Sequence, residues 1–189
     1  MATVAPPDTR ERILRATVEL IGREGVAAVT NRRVAGAAGV ALGSLTYHFP
    51  SQVDLLRESL LLFVGEEVAR QEAIAADLRR RRPSVEQVAI EVERIVQESG
   101  DRIQQLGEIE LHLQAARDPA LQEASQRCFE AYEGVAAAAL ETLDVPEPGR
   151  HARTIVALMY GMGLRRLGAG ESASGVADGL LTIVRGARP

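Results

Sequence analysis

The sequence predicts an all-α protein of about nine helices: a three-helix head carrying a helix-turn-helix, followed by a larger helical body. Three observations predict it. Apolar residues recur at helical spacing along almost the whole chain, and no stretch holds the period-two, β-branched alternation of a strand for long. Helix-starting residues (Asp8, Thr30, Ser51, Ser84, Pro119) and helix-stopping ones (Gly25, Gly39, Pro83) punctuate the chain at intervals that suit helices. The composition, 46% apolar and 25% charged with both signs mixed, is that of a soluble globular chain and not of a disordered one.

The first helix starts at Asp8, with Glu11 three residues on as in a capping box. Ile13, Leu14, Thr17, Leu20 and Ile21 form one largely apolar face, and Gly25 stops the helix. Thr30 is a good N-cap for a short helix over 31–38 that ends at Gly39. A second short helix covers 42–48. Ser51 with Asp54 restarts a helix that runs to residue 79, and Arg79, Arg80, Arg81, Arg82 and Pro83 then break the chain. Ser84 with Gln87 opens a helix to about residue 99, and a further helix spans 102–117. Asp118 and Pro119 form a stop-and-restart, proline taking the first position of a helix that reaches about residue 143. Pro146 and Pro148 make a loop, and helices near 149–167 and 174–185 complete the chain. The expected division is a head at 8–56 and a body at 57–189, with no internal repeat.

The net charge of −4 is an unpromising sum for a partner of nucleic acid, but its distribution matters more. Residues 1–50 hold six Arg against four acidic groups, while the remainder holds 16 Arg against 22 acidic groups. The head is mildly basic and the body acidic, so DNA contact belongs to the head. Lysine is absent, which makes arginine the only fixed cation for a phosphate.

Several other function classes find little support. The apolar runs at 60–64 and 155–160 fall far short of the roughly 20 residues of a membrane span. Residues 1–7 have neither the basic start nor the apolar core of a signal peptide, so a cytoplasmic location is expected. Cys128 is the only cysteine; it has no thiol to pair with in a disulfide or a zinc site, and reads as a buried structural residue. His151 has no ligand type one turn away. His112 shares a face with Glu108, but neither a nucleophile nor a further ligand completes a catalytic or metal site. No cofactor is expected. The glycine-rich stretch at 168–173 follows a helix instead of a strand and so does not read as a dinucleotide loop. The Arg79–Arg82 run lies roughly 40 Å along its helix from the start, at about 1.5 Å per residue, and reads as a solvated helix end.

The function lies in residues 30–49. A helix-turn-helix needs two short helices crossing steeply around a tight turn, so that the second enters the major groove. Ala35 and Ala38 are small where the helices touch, and Gly39 suits a turn at positive φ. Val34, Val40, Leu45 and Phe49 are spaced to bury a small core against Ile13, Leu20 and Ile21. Leu42, Gly43, Ser44, Thr46, Tyr47 and His48 remain outside, mostly short or polar groups that can approach base edges and phosphates.

These residues resemble the tetracycline-repressor (TetR) family. The resemblance is carried by Ile13, Leu14, Gly25, Thr30, Val34, Ala35, Ala38, Gly39, Val40, Gly43, Leu45, His48, Phe49, Ser51, Asp54, Leu55 and Leu56. It implies that Thr30, Asn31 and Arg32 touch phosphates and in places a base, that Leu42, Gly43, Ser44, Thr46 and Tyr47 form the reading face, and that His48 meets phosphate. Three positions depart from the family pattern. Ala41 replaces a capping Ser or Thr worth about 1 kcal/mol. Thr46 stands where a Tyr is usual, with Tyr47 displaced by one. Gln52, a further expected DNA contact, stands where a Lys usually anchors phosphate, so weaker salt dependence is expected.

The resemblance also implies a body that forms a homodimer and encloses a small-molecule effector. The sequence supports dimerisation independently. Ile155, Leu158, Met159, Met162 and Leu167, with Gly161 and Gly163 between them, and then Leu180, Leu181, Ile183 and Val184, make two apolar helices that pairing across a two-fold axis would cover. The expected interface residues are Ile155, Met159, Met162, Leu180, Ile183 and Val184. The pocket candidates are Phe63, Glu67, Gln105, His112, Leu113, Tyr132 and Met159; with only six aromatic residues in the chain, a mainly aliphatic cavity is expected. The expected function is a repressor that a small molecule releases from a palindromic double-stranded operator. The competing readings are a DNA-binding factor without an effector, and an enzyme or small-molecule-binding protein that retains the head without binding DNA.

Overall fold

The structure, a computed structural model, describes residues 8–84, 87–88, 102–169 and 182, with the backbone alone at 102–104. Among the described residues there are seven α-helices, one 3-10 turn and no strand. The helices are α1 (Thr9–Glu24), α2 (Asn31–Ala38), α3 (Leu42–His48), α4 (Gln52–Arg81), α5 (Arg102–Ala115), α6 (Pro119–Thr142) and α7 (Pro148–Ala169); the turn is Val26–Ala28. The all-α expectation therefore holds. The two helices expected near 84–99 and 174–185 fall almost wholly outside the described residues, and with them Leu180, Ile183 and Val184.

Local chemistry sets the ends of these helices. The Asp8 carboxylate accepts from the Glu11 N–H at 2.7 Å, but the Glu11 side chain turns to Arg15 at 2.7 Å, so only one arm of the capping box forms there. At Ser84 both arms form: Ser84 N–H donates to Gln87 Oε1 at 2.9 Å, and Gln87 N–H to Ser84 Oγ at 3.4 Å. Asp118 Oδ1 accepts from Ala120 N–H at 3.0 Å, starting α6 with Pro119 in its first position. The arginine run did not stop α4 at residue 79; the helix continues to Arg81, and Arg82 then leaves it at φ 45°.

The chain divides into two compact units, 1–65 with 102–125 and 66–101 with 126–189. In the first, α1 packs against α2, α3 and α5. Its core is Ile13, Leu14, Leu20, Ile21, Val29, Val34, Leu45, Phe49, Leu55, Leu60 and Leu111, all buried. Thr17 and Ser59 are buried as well and satisfy their hydroxyls on the carbonyls four residues back, at 2.8 and 2.7 Å.

In the second unit Leu140, Leu143, Val145, Ala152 and Ile155 form one cluster, with Met159 and Met162 packed against it. Ala75, Leu78 and Ala138 form another. The four consecutive alanines at 136–139 divide between the two clusters, Ala136 and Ala137 packing on the first and Ala138 and Ala139 on the second. Arg79 pairs with Glu141 at 2.9 Å, and Arg80 and Arg81 both pair with Asp77, so two carboxylates offset part of the charge of the arginine run. Cys128 is fully buried. No helix among the described residues is long and apolar enough to cross a membrane.

Candidate nucleic-acid interface

The turn between α2 and α3 is fixed by three devices. Gly39 sits in the left-handed region at φ 64°, ψ 39°, where a Cβ costs about 1–2 kcal/mol. Gly39 N–H reaches the Gly36 carbonyl at 3.2 Å and Val40 N–H the Ala35 carbonyl at 3.0 Å, closing α2 with a Schellman pair. Arg12 on α1 then donates from Nη2 to the carbonyls of Ala38 at 2.7 Å and Gly39 at 3.0 Å. Its charge lies at the negative end of α2, so it satisfies two free carbonyls and complements the helix dipole together.

On this frame α3 is held by its inner side. Leu45 and Phe49, one turn apart, are buried, and the Arg10 guanidinium lies 5.4 Å from the Phe49 ring centre. The outer side is bare. Tyr47 is 81% exposed and Leu42 50%, Gly43 and Thr46 are exposed, and Ser44 and His48 are half-buried. Tyr47 meets His48 edge-on with ring centres 5.4 Å apart. The Thr46 hydroxyl is turned back onto its own helix, between the carbonyls of Leu42 at 3.2 Å and Gly43 at 3.1 Å. Ala41 starts α3 without a side-chain cap.

At the start of α2, Thr30 accepts from Arg33 N–H at 3.4 Å and is exposed, as is Arg32, while Asn31 is half-buried. Gln52 is not a free group: its Nε2 donates to the Val29 carbonyl, clasping the start of α4 to the segment before α2. Ion pairing sorts the arginines of the head. Arg10 pairs with Glu58, Arg15 with Glu11, Arg23 with Glu19 and Arg33 with Glu24, while Arg12 holds the turn. Among the described residues Arg32 alone of the six has no such partner.

The pocket candidates lie in both units. In the first, Phe63 is buried, Leu113 is exposed, and Gln105 has its Oε1 buried without a hydrogen-bond partner. His112 Nδ1 lies 2.7 Å from Ser125 Oγ, and burial lowers its pKa from 6.5 to about 4, so the ring is neutral at physiological pH. In the second unit Glu67 is 1% exposed, pairs with Arg70 at 2.6 Å, and accepts from Gln71 Nε2 at 2.7 Å and the Tyr132 hydroxyl at 2.6 Å. The Tyr132 ring stands edge-on to Tyr160, centres 6.0 Å apart, and Tyr160 is 5.1 Å from Phe129. Of the seven candidates, Glu67 and Tyr132 therefore meet directly, whereas Met159 belongs to the cluster around Leu140 and Ile155.

Sequence reasoning missed Arg12 as the clamp of the turn and Gln52 as a clasp. Both contacts span more than twenty residues, with separations of 26 and 23, so no local pattern signals them.

The capped α2, the left-handed glycine and the bare outer side of α3 define a helix-turn-helix protein. The chain belongs to the TetR family of transcriptional regulators: residues 13–59 match the model for bacterial regulatory proteins of the tetR family, and residues 83–188 match the tetracyclin repressor-like C-terminal domain. The HTH-type transcriptional repressor KstR of Mycobacterium tuberculosis is 40% identical over 73 residues, 39% of this chain and 31% of that one. A TetR-family member from Streptomyces coelicolor has the same fold at TM-score 0.72 and 30% identity, covering 94% of this chain and 99% of that one. The multidrug binding protein EbrR in complex with ethidium gives TM-score 0.71 at 29% identity, again over 94% and 99%. The chain spans only 26% and 59% of the length of two other curated regulators it matches.

Proposed function

We propose that the chain is a cytoplasmic, non-enzymatic repressor that binds a palindromic operator as a homodimer, through residues 8–56, and is released by a small molecule bound in the body. The observation that carries the DNA reading is the contrast across α3: Leu45 and Phe49 are locked into the core while the opposite side carries the most exposed aromatic ring in the head. In this reading Leu42, Gly43, Ser44, Thr46 and Tyr47 face the bases. Thr30, Asn31, Arg32 and His48 meet phosphates, and at Gln52 the donor is the backbone N–H in the first turn of α4, since the side chain is engaged. Selection of bound duplex from a random pool tests this. The expected product has two inverted half-sites about one turn, roughly 34 Å, apart; no enrichment refutes it.

The dimer reading rests on α7 and the residues after it. Ile155 is buried in its own unit, so the partner contact falls on what Met159 and Met162 leave uncovered, on the exposed Leu164, and on Leu180, Ile183 and Val184. Light scattering at micromolar concentration is expected to give a dimer mass, and a monomer refutes it.

For the effector, two features favour an aromatic cation. Glu67 is a buried carboxylate hydrogen-bonded to Tyr132, the first of a chain of rings that runs on through Tyr160 to Phe129, and a cationic ligand would compete with Arg70 for it. EbrR, which shares the fold, is described in complexes with proflavin, ethidium and malachite green, all aromatic cations. Met159, in the same unit, is a further candidate. Ethidium fluorescence without DNA is expected to report binding that Glu67→Gln weakens. Ethidium should lower the operator affinity of the native protein more than that of Glu67→Gln, a comparison in which its own intercalation into the duplex cancels. Binding that leaves operator affinity unchanged refutes the coupling, because an effector shifts an equilibrium only by its differential affinity.

A further inference from the structure

We infer that α3 reads its operator chiefly through the 5-methyl groups of thymines, and not through hydrogen bonds to guanine, adenine or cytosine edges; this rests on the operator-binding reading above. Bidentate reading uses Arg or Lys on guanine and Asn or Gln on adenine, and cytosine is read by Asp or Glu. None of these six residue types occurs in α3, whose sequence is Leu42, Gly43, Ser44, Leu45, Thr46, Tyr47, His48. Arginine from elsewhere in the head is little help. Five of its six guanidinium groups are spent on carboxylates or on the α2 carbonyls, and Arg32 stands at the start of α2.

Ser44 is half-buried and a hydroxyl bonds to more than one base, so it discriminates little, and the rest of what α3 presents outermost is largely apolar. Tyr47 lies about 200° around the helix from buried Leu45, on the outermost line. One turn before it is Gly43, where an added Cβ would meet nothing within 4 Å, so a base edge can approach the backbone beside the ring. Leu42 and Thr46 stand one turn apart along the neighbouring line. Because the single hydroxyl proton of Thr46 is shared between the Leu42 and Gly43 carbonyls, the side chain has no donor left for a base and offers its Cγ2 methyl and an acceptor oxygen. A single exposed leucine on a surface is ordinary. An exposed leucine, a threonine methyl and a phenol ring on one seven-residue helix form a strip. Its complement in the major groove is the thymine methyl, the one methyl group on the base edges there.

The test uses the full chain and the duplex enriched from the random pool. Thymines in each half-site are replaced one at a time by deoxyuridine, which removes the methyl and keeps every hydrogen-bonding group. The expected loss of affinity is about fourfold per methyl buried, and about fifteenfold when the equivalent methyl is removed from both half-sites. Thr46→Ser keeps the hydroxyl and removes the methyl, so it should lose sensitivity to deoxyuridine at the thymine it faces. Affinity within twofold on a duplex with every thymine replaced overturns the inference, as does an enriched half-site that contains no thymine. Failure to enrich any duplex refutes the operator reading itself, and this inference with it.

Discussion

Replacing Arg32 by Ala separates the electrostatic part of DNA binding from the rest. Binding that neutralises phosphates releases counterions, and log Kobs then falls with log salt by about 0.9 for each phosphate contacted. Arg10, Arg15, Arg23 and Arg33 each hold a carboxylate, and Arg12 holds the Ala38 and Gly39 carbonyls, which leaves Arg32 as the guanidinium in the head ready for a phosphate without breaking a contact. A dimer presents two copies, so Arg32→Ala should reduce the slope by about 1.8. Between about 50 and 200 mM salt, the native complex should then lose about twelvefold more affinity than the variant complex loses. Fluorescence anisotropy of a labelled operator across that range measures both slopes. Arg23→Ala is the control, since Arg23 is paired with Glu19 and should leave the slope unchanged. The reasoning is refuted if the Arg32→Ala slope equals the native one, or if Arg23→Ala lowers it equally. Exposed ion pairs would in that case be giving up their carboxylates to DNA, and their small worth of about 0–1 kcal/mol does not forbid it.

Three further outcomes are expected. Gly39→Ala should cost roughly 1–2 kcal/mol in denaturant unfolding, because φ is 64° and the new Cβ would sit 3.3 Å from Arg12 Nη2. Gly65→Ala, at a helical position with open space, should instead stabilise by up to about 1 kcal/mol, and equal signs for the two would contradict the backbone argument. Ala41→Ser should restore a cap to α3 and raise stability by about 1 kcal/mol; no change in melting would show that the cap position is satisfied in another way. His112 has its pKa lowered by burial from 6.5 to about 4, so the unfolded chain binds more protons between those values. Its contribution to stability is therefore full above pH about 6.5 and declines as pH falls towards about 4; urea midpoints over that range should fall less steeply for His112→Gln, and parallel curves would count against it.

The parts of the head legible in the sequence were those set by neighbours in the chain. Asp8, Thr30 and Ser51 begin helices because a short side-chain oxygen reaches an N–H three residues on, and Gly39 ends α2 because few other residues suit a left-handed position. The same local rule overreached at Glu11, where a salt bridge to Arg15 one turn away competed with the second arm of the capping box. It also fell short at the end of α4, where pairing of Arg80 and Arg81 with Asp77 helps carry the helix two residues further. What the sequence could not display were contacts closed by the fold. Arg12 looks like any exposed arginine until α1 lies against the end of α2, and Gln52 looks like a lost phosphate anchor until its amide meets Val29. In the body, Glu67 and Tyr132 were both expected as pocket residues, but the hydrogen bond between them, across 65 residues, is closed only by the fold.

The central claim is that α3 is the reading helix, and the most direct measurement compares two proteins on one duplex. The native chain and the Leu42→Ala, Tyr47→Ala variant are titrated against the enriched operator by anisotropy, with thermal unfolding of both as the check on fold. Both side chains are exposed, so melting should be unchanged, while affinity should fall at least about tenfold, equivalent to 1.4 kcal/mol. Equal affinity in a variant that melts with the native protein would contradict the account, because DNA would then be bound by some surface other than α3.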